Sequence, residues 1–171
     1  MLNSAIRQFL ADTEWGELDY LLVDLPPGTG DASLSLAQIL PLSGVVIVTL
    51  PQTVSLEDAA RGLEMFRTLE VPILGVIENM SYLDLPDGTR MDIFGSGGGE
   101  QLAQATQTPF LGKIPIDPVV RQGGDSGKPI VVAQPDSAAA QALRGIAEGL
   151  AARISVAAMS GKNELPINIV E

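Results

Sequence analysis

The residues best placed to do chemistry lie in one stretch, Leu22-Val23-Asp24-Leu25-Pro26-Pro27-Gly28-Thr29-Gly30-Asp31. A carboxylate that ends an apolar run falls where open α/β sheets bind their ligands. Such an Asp can orient the water shell of a Mg²⁺ that bridges nucleotide phosphates. The two prolines fix the turn that follows, and Gly28 lets a backbone N–H reach a phosphate oxygen with no Cβ in the way. The same Asp could equally cap a turn, and these residues alone leave both readings open. Other candidates are Asn79, after a later apolar run, and the segment Pro115-Ile116-Asp117. A buried amide beside a rigid proline loop suits a base pocket. A turn-capping Asn and a helix-capping Asp are the competing readings.

Composition removes whole classes of chemistry. With no His and no Cys among 171 residues, Ser-His and Cys-His nucleophiles are excluded, as are HExxH zinc sites, disulfides and thiolate metal sites. A net charge of −11 is the wrong sign for nucleic acid or an anionic membrane surface. Hydrophobic residues at 46 % and charged residues at 18 % predict a sizeable core rather than disorder. Met1 to Leu10 lacks the basic start and long apolar run of a signal peptide.

Positioning these groups takes strands and helices in alternation. Apolar runs Tyr20–Val23, Val45–Thr49, Ile73–Ile77 and Phe110–Ile114 have the length and continuity of strands buried on both faces. Leu2, Ile6, Phe9 and Leu10 predict an opening helix, and Asp31 a cap for a helix carrying Leu34, Ala37 and Gln38 toward Ile39. Ser55 with Asp58 reads as a capping box, ahead of an apolar face made by Leu56, Ala59, Ala60, Leu63 and Phe66. Ser137 to Met159 predicts a final helix with Leu143, Ile146, Ala147, Leu150 and Ile154 inward. The expected class is α/β with a mostly parallel sheet in three layers. Residues 1–159 form its domain and 160–171 a C-terminal tail.

Several long segments in order, DYLLVDLPPGTGD, VTLPQTVSLEDAARGLEMF, GVIENMSY, DIFGSGGGE and LGKIPIDPVVRQGGDSGKPIV, resemble the Mrp/ApbC family of iron–sulfur cluster carrier P-loop ATPases, within the MinD-like group. The resemblance runs from about Trp15 to Ile154. It implies a MinD-like nucleotide-binding fold, ATP hydrolysis with Mg²⁺, a 4Fe–4S cluster as cargo, a homodimer and iron–sulfur assembly or target proteins as partners, in the cytoplasm. Residue by residue, it makes Asp24 the Walker B-like support of Mg²⁺ and Gly28 the glycine that senses the γ-phosphate. Asn79 becomes the contact to the adenine edge, and Pro115 and Asp117 part of the loop around base and ribose.

The chain departs from that family in two places. It has no GKGGVGKS-like phosphate loop, which in the family lies upstream of the DxPPG strand. Neither Ser126-Gly127-Lys128-Pro129 nor Gly161-Lys162-Asn163 substitutes for it, and Gly95 to Glu100 reads as a turn into a helix. The expectation is a domain incomplete at its N-terminus that by itself binds ATP weakly or not at all. Where many family members carry Cys-x-x-Cys, this chain reads Leu83-Asp84-Leu85-Pro86-Asp87-Gly88, and carboxylates are poor substitutes for thiolates on iron–sulfur clusters. The alternative function is a nucleotide-independent scaffold on the same fold. A membrane-cycling MinD-type ATPase would need a basic amphipathic C-terminal helix, and the last helix here is Ala-rich with few Lys or Arg.

Overall fold

The computed structural model describes residues 8–10, 12–25, 30–40 and 42–159. Its elements are α1 (Asp31–Ile39), β1 (Val45–Thr49), α2 (Thr53–Thr68), β2 (Ile73–Glu78), β3 (Leu83–Asp84), β4 (Arg90–Met91), α3 (Gly98–Ala105), β5 (Phe110–Lys113), α4 (Pro118–Ser126), α5 (Ile130–Ala133) and α6 (Ala138–Met159). The main sheet has the order β1-β2-β5, with both pairs parallel. A small antiparallel pair, β3 with β4, lies apart from it.

Strand alternation sorts the sheet residues into two faces. Ile47, Val76 and Phe110 turn toward Leu63 and Phe66 of α2 and Ala103 of α3, forming the main core, with Ala37 of α1 at its side. Ile77 and Gly112 point the other way, toward α6. A Cβ on Gly112 would lie 3.1 Å from Cγ1 of Ile146, so the missing side chain lets the last helix seat closely. Helices therefore sandwich the sheet, and the α/β class with a parallel sheet holds. A second cluster, Ile130 with Ala139 and Ala140, joins α5 to the start of α6.

The apolar run Tyr20–Val23 departs from expectation. It belongs to no strand, and it is exposed, Leu22 to 87 %. A run of apolar residues becomes a strand only where a neighbour supplies backbone partners. Among the described residues this run has none. The outer edge of β1 likewise has no strand partner among the described residues. The Val45 N–H reaches the Pro72 carbonyl, and the Thr49 carbonyl accepts from Asn79 N–H, so alternate residues of β1 face β2. Val46 and Val48 consequently turn their backbone groups outward, and the Val48 side chain is 57 % exposed.

Three helix starts also differ. Gly30, not Asp31, occupies the cap position of α1, and Asp31 is its first helical residue. Helix α2 is capped by Gln52 rather than Ser55. The Gln52 amide donates to the Ser55 hydroxyl at 3.2 Å, and Asp58 pairs with Arg61 instead of reaching back. The helix starts three residues earlier, taking in Thr53, Val54 and Ser55, because none of them opposes helical geometry strongly enough to stop it. In α6, Ser137 accepts the Ala140 N–H at 3.2 Å, Ile146 is buried, and Ala147 is exposed rather than inward. The predicted opening helix is seen only as the helical residues 8–10; Leu2, Ile6, Gly28 and the tail 160–171 lie outside the described residues.

Candidate functional site at the strand ends

The residues predicted for a base pocket follow the C-terminal ends of β2 and β5. After β2 the chain turns through Asn79 and Met80, the latter at φ +52°. The Asn79 N–H donates to the Thr49 carbonyl at 2.8 Å, which ties this turn to the end of β1. Its side-chain Oδ1 accepts the Met80 N–H at 2.9 Å, leaving Nδ2 without a hydrogen-bond partner among the described residues. The turn is then laced to the segment after β5. Ile114 N–H donates to the Glu78 carbonyl at 2.9 Å, Ser81 N–H to the Ile114 carbonyl at 3.0 Å, and Ile116 N–H to the Tyr82 carbonyl at 2.7 Å. Asn79 and the buried Pro115 are thus held on neighbouring, mutually bonded segments.

Asp117 sits at the far end of that segment. Its Oδ1 accepts the Val119 N–H at 2.8 Å, with Pro118 at the first position of α4, so the helix-capping role is realised. One carboxylate oxygen remains uncommitted to that bond. Asp24 is exposed and makes no hydrogen bond or ion pair among the described residues, while the adjoining Leu25 packs against the main core. The structure therefore groups Asn79, Pro115 and Asp117 and leaves Asp24 on a separate, unpaired segment.

A residue that pattern reading passes over stands beside Asn79. Glu78 ends β2 and is fully buried, at 0 % exposure. Its Oε2 accepts the Gly99 N–H at the start of α3 at 2.7 Å, and its Oε1 has no hydrogen-bond partner among the described residues. In sequence, a charged residue closing an apolar run reads as an exposed strand stop. The glycines at 97–99 were the available signal, since they admit a buried side chain against a helix end.

The glycine-rich stretch does form a turn into a helix. Gly97, at φ +74°, caps α3, and that helix's N-terminus is already occupied by Glu78. Lys113 pairs with Glu100 at 3.4 Å, and Lys128 is exposed just past α4. No described lysine therefore sits on a free glycine-rich helix start, which is what gripping phosphates requires.

The hairpin of β3 and β4, which carries Leu85-Pro86-Asp87-Gly88, is closed by its own polar groups. Asp87 accepts from the Thr89 hydroxyl at 2.6 Å and from its N–H at 2.9 Å, which holds the Asp87 carboxyl below its usual range. Arg90 donates to Asp84 at 3.0 Å, a bond that raises the guanidinium's already high value, and its guanidinium lies 3.5 Å from the Tyr82 ring centroid. These carboxylates are engaged, and no group of three His, Cys, Asp or Glu among the described residues is arranged to hold a metal ion. With no Cys in the sequence, the chain's residues do not fit a cluster. No helix among the described residues is long and apolar enough to cross a membrane.

Residues 1–151 match the family described as ParA: NUBPL iron-transfer P-loop NTPase. An iron–sulfur cluster carrier protein of Synechocystis sp. is 56 % identical over 162 residues, covering 93 % of this chain and 46 % of that protein. The iron–sulfur cluster transfer protein NUBPL of Dictyostelium discoideum is 46 % identical over 157 residues, covering 91 % of this chain and 49 % of that protein. The chain thus spans about half the length of these relatives. Among solved structures, a nucleotide-binding protein from Archaeoglobus fulgidus in complex with ADP superposes with TM-score 0.69 at 38 % identity, over 80 % of this chain and 55 % of that one. The septum site-determining protein MinD of Pyrococcus horikoshii, complexed with Mg-ADP, gives TM-score 0.61 at 27 % identity, over 96 % and 59 %. Four parallels agree: the alternation of strands and helices, the parallel sheet, the sequence match and the MinD-like superposition. On these grounds the chain belongs to the NUBPL iron-transfer P-loop NTPase family.

Proposed function

We propose that these 171 residues supply the base-side and metal-side walls of an ATP site in a cytoplasmic, homodimeric protein of iron–sulfur cluster assembly or transfer. The observation that carries this reading is the lacing of the Asn79 turn to the Pro115 segment at the ends of β2 and β5. It brings an amide with a free Nδ2 beside a rigid proline loop, the arrangement that reads one edge of a planar base. Asn79 would donate to the adenine edge, Pro115 would pack on the ring, and Asp117 would use its second oxygen near the ribose. Asp24, with an unengaged carboxylate, would orient water on Mg²⁺, and Gly28 would approach the γ-phosphate.

The phosphate grip is the part these residues do not fit. The glycine-rich start of α3 is occupied by Glu78, Lys113 is paired with Glu100, and no described lysine stands at the Gly30 start of α1. When bound, Mg²⁺ and a cradle of backbone N–H groups neutralise the transferring phosphoryl. That cradle must come from sequence other than these 171 residues. The cluster, as cargo, gains no thiolate here, so its ligands would also lie elsewhere. The same facts favour one second reading, a nucleotide-independent scaffold that uses this fold to bind an iron–sulfur assembly or target protein.

Titration calorimetry with MgATP separates the two. The chain alone should bind more weakly than about 1 mM, equivalent to less than about 4 kcal/mol. The chain joined to the portion of the Synechocystis relative that it does not span should bind at least about tenfold more tightly, and Asn79→Ala in that fusion should reverse the gain. A folded fusion that binds no tighter than the isolated chain would favour the scaffold. Anaerobic reconstitution of the chain with iron and sulfide should give no visible charge-transfer absorbance.

A further inference from the structure

Glu78 is an expensive residue to place where it is. A carboxylate removed from water needs its oxygens satisfied, and one left unpaired costs about 1–3 kcal/mol or more. Yet Oε1 of Glu78 is buried with no partner among the described residues, while Oε2 holds Gly99 at 2.7 Å. An apolar side chain would fill this space at lower cost if packing were the only demand.

The surroundings show what the carboxylate holds. A Cβ on Gly99 would lie 2.8 Å from the Glu78 Cβ, so only glycine lets the start of α3 approach β2 this closely. A Cβ on Gly98 would collide with the Pro51 carbonyl and the Leu56 side chain. The first turn of α3 is therefore wedged between the end of β2 and the loop that follows β1. Asn79, the next residue, is bonded to Thr49 at the end of β1. One peptide unit thus carries both the contact to the helix start and the amide assigned to the base.

The unpaired oxygen leaves this contact with unused acceptor capacity. The amides of Gly98 and Glu100 belong to the helix's first turn and have no intrahelical acceptor. Lys113 is the Cα partner of Glu78 in the ladder and pairs instead with Glu100. Oε1 therefore has acceptor capacity left, next to a helix turn whose first amides have no intrahelical acceptor.

We propose that Glu78 is a positioning residue, tying the Gly95–Gly99 loop and the first turn of α3 to the strand end that carries Asn79. Engagement of Asn79 by a purine nucleoside then shifts the glycine-rich loop. The nucleoside part of this inference rests on the nucleotide reading above; the tie itself does not.

The test is backbone-amide NMR with hydrogen exchange on the 171-residue chain, with adenosine as the added probe. In the unsubstituted chain, millimolar adenosine should shift the amides of Asn79 and of Gly97 to Gly99 together. Glu78→Gln should keep the Asn79 shift and lose the loop shift. It should also speed exchange at both Gly99 and Asn79 by about tenfold or more, with Val76 and Leu63 unchanged. Gly99→Ala, which displaces the helix start while leaving the carboxylate in place, should reproduce that pattern, and it carries the test if Glu78→Gln does not fold. A loop shift that survives in both variants overturns the proposal. So does acceleration spread across Val76 and Leu63, which marks a purely structural role. If adenosine leaves Asn79 unmoved both in the unsubstituted chain and in the fusion with the remainder of the Synechocystis relative, the nucleotide reading fails. The tie is then decided by exchange alone: joint acceleration at Gly99 and Asn79 supports it, and an unchanged Asn79 overturns it.

Discussion

Gly75 shows how single positions hold the sheet to one geometry. At φ +155° a Cβ there would sit 2.5 Å from the Leu111 Cγ and 2.8 Å from the Pro109 carbonyl, between β2 and β5. Gly75→Ala should therefore cost about 1–3 kcal/mol of stability in a denaturant titration, from overpacking alone. Asp87 sets a different limit. Its folded-state pKa is depressed, so the turn it closes gains stability above the unfolded-state value and loses it as pH falls through the folded one. Protection of the Thr89 amide should accordingly fade on acidification within the carboxylate range, and Asp87→Asn should remove that pH dependence. Among site residues, Asp117 was legible as a helix cap because Pro118 follows it. Glu78 was not, because a buried acid at a strand end depends on a glycine 21 positions later.

At the element scale, sequence pattern and structure agree wherever a run has a neighbour. Val45–Thr49, Ile73–Ile77 and Phe110–Ile114 were readable as strands because each is continuous and apolar, and each finds a parallel partner. Tyr20–Val23 has the same pattern and no partner, so the same reading gives the wrong local structure. Pattern reports what a segment would bury, and pairing depends on what lies beside it. Open edges template association. The chain should therefore scatter light progressively at micromolar concentration. Val48→Lys, which places a charge on an already exposed position of β1, should suppress that scattering, and at protein concentrations too low for association it should melt at the same temperature as the parent chain. Asp117→Ala tests the helix cap. Loss of the Val119 bond should cost about 0.5–2 kcal/mol in a thermal melt. If Asp117 also serves a nucleotide, the fusion should lose MgATP affinity beyond what that destabilisation explains.

For the whole molecule, charge and coverage bear on each other. A net charge of −11 repels a polyphosphate, and no described lysine is placed to offset it. The fold class, the layering and the family were readable from ordered motifs spread along nearly the whole chain. The working site was readable only in part, because its residues lie on segments whose relative placement no local spacing encodes. The outward-facing backbone of Val46 and Val48 has a thermodynamic corollary. Any strand that pairs with this edge, from a second copy or another segment, binds the folded chain and not the unfolded one. Its contribution then follows mass action, growing as RT ln(1 + [L]/Kd). The melting temperature should accordingly climb with protein concentration under conditions where the Val48→Lys chain melts at a fixed temperature. For this chain, stability is a property of the mixture it sits in as much as of its own contacts.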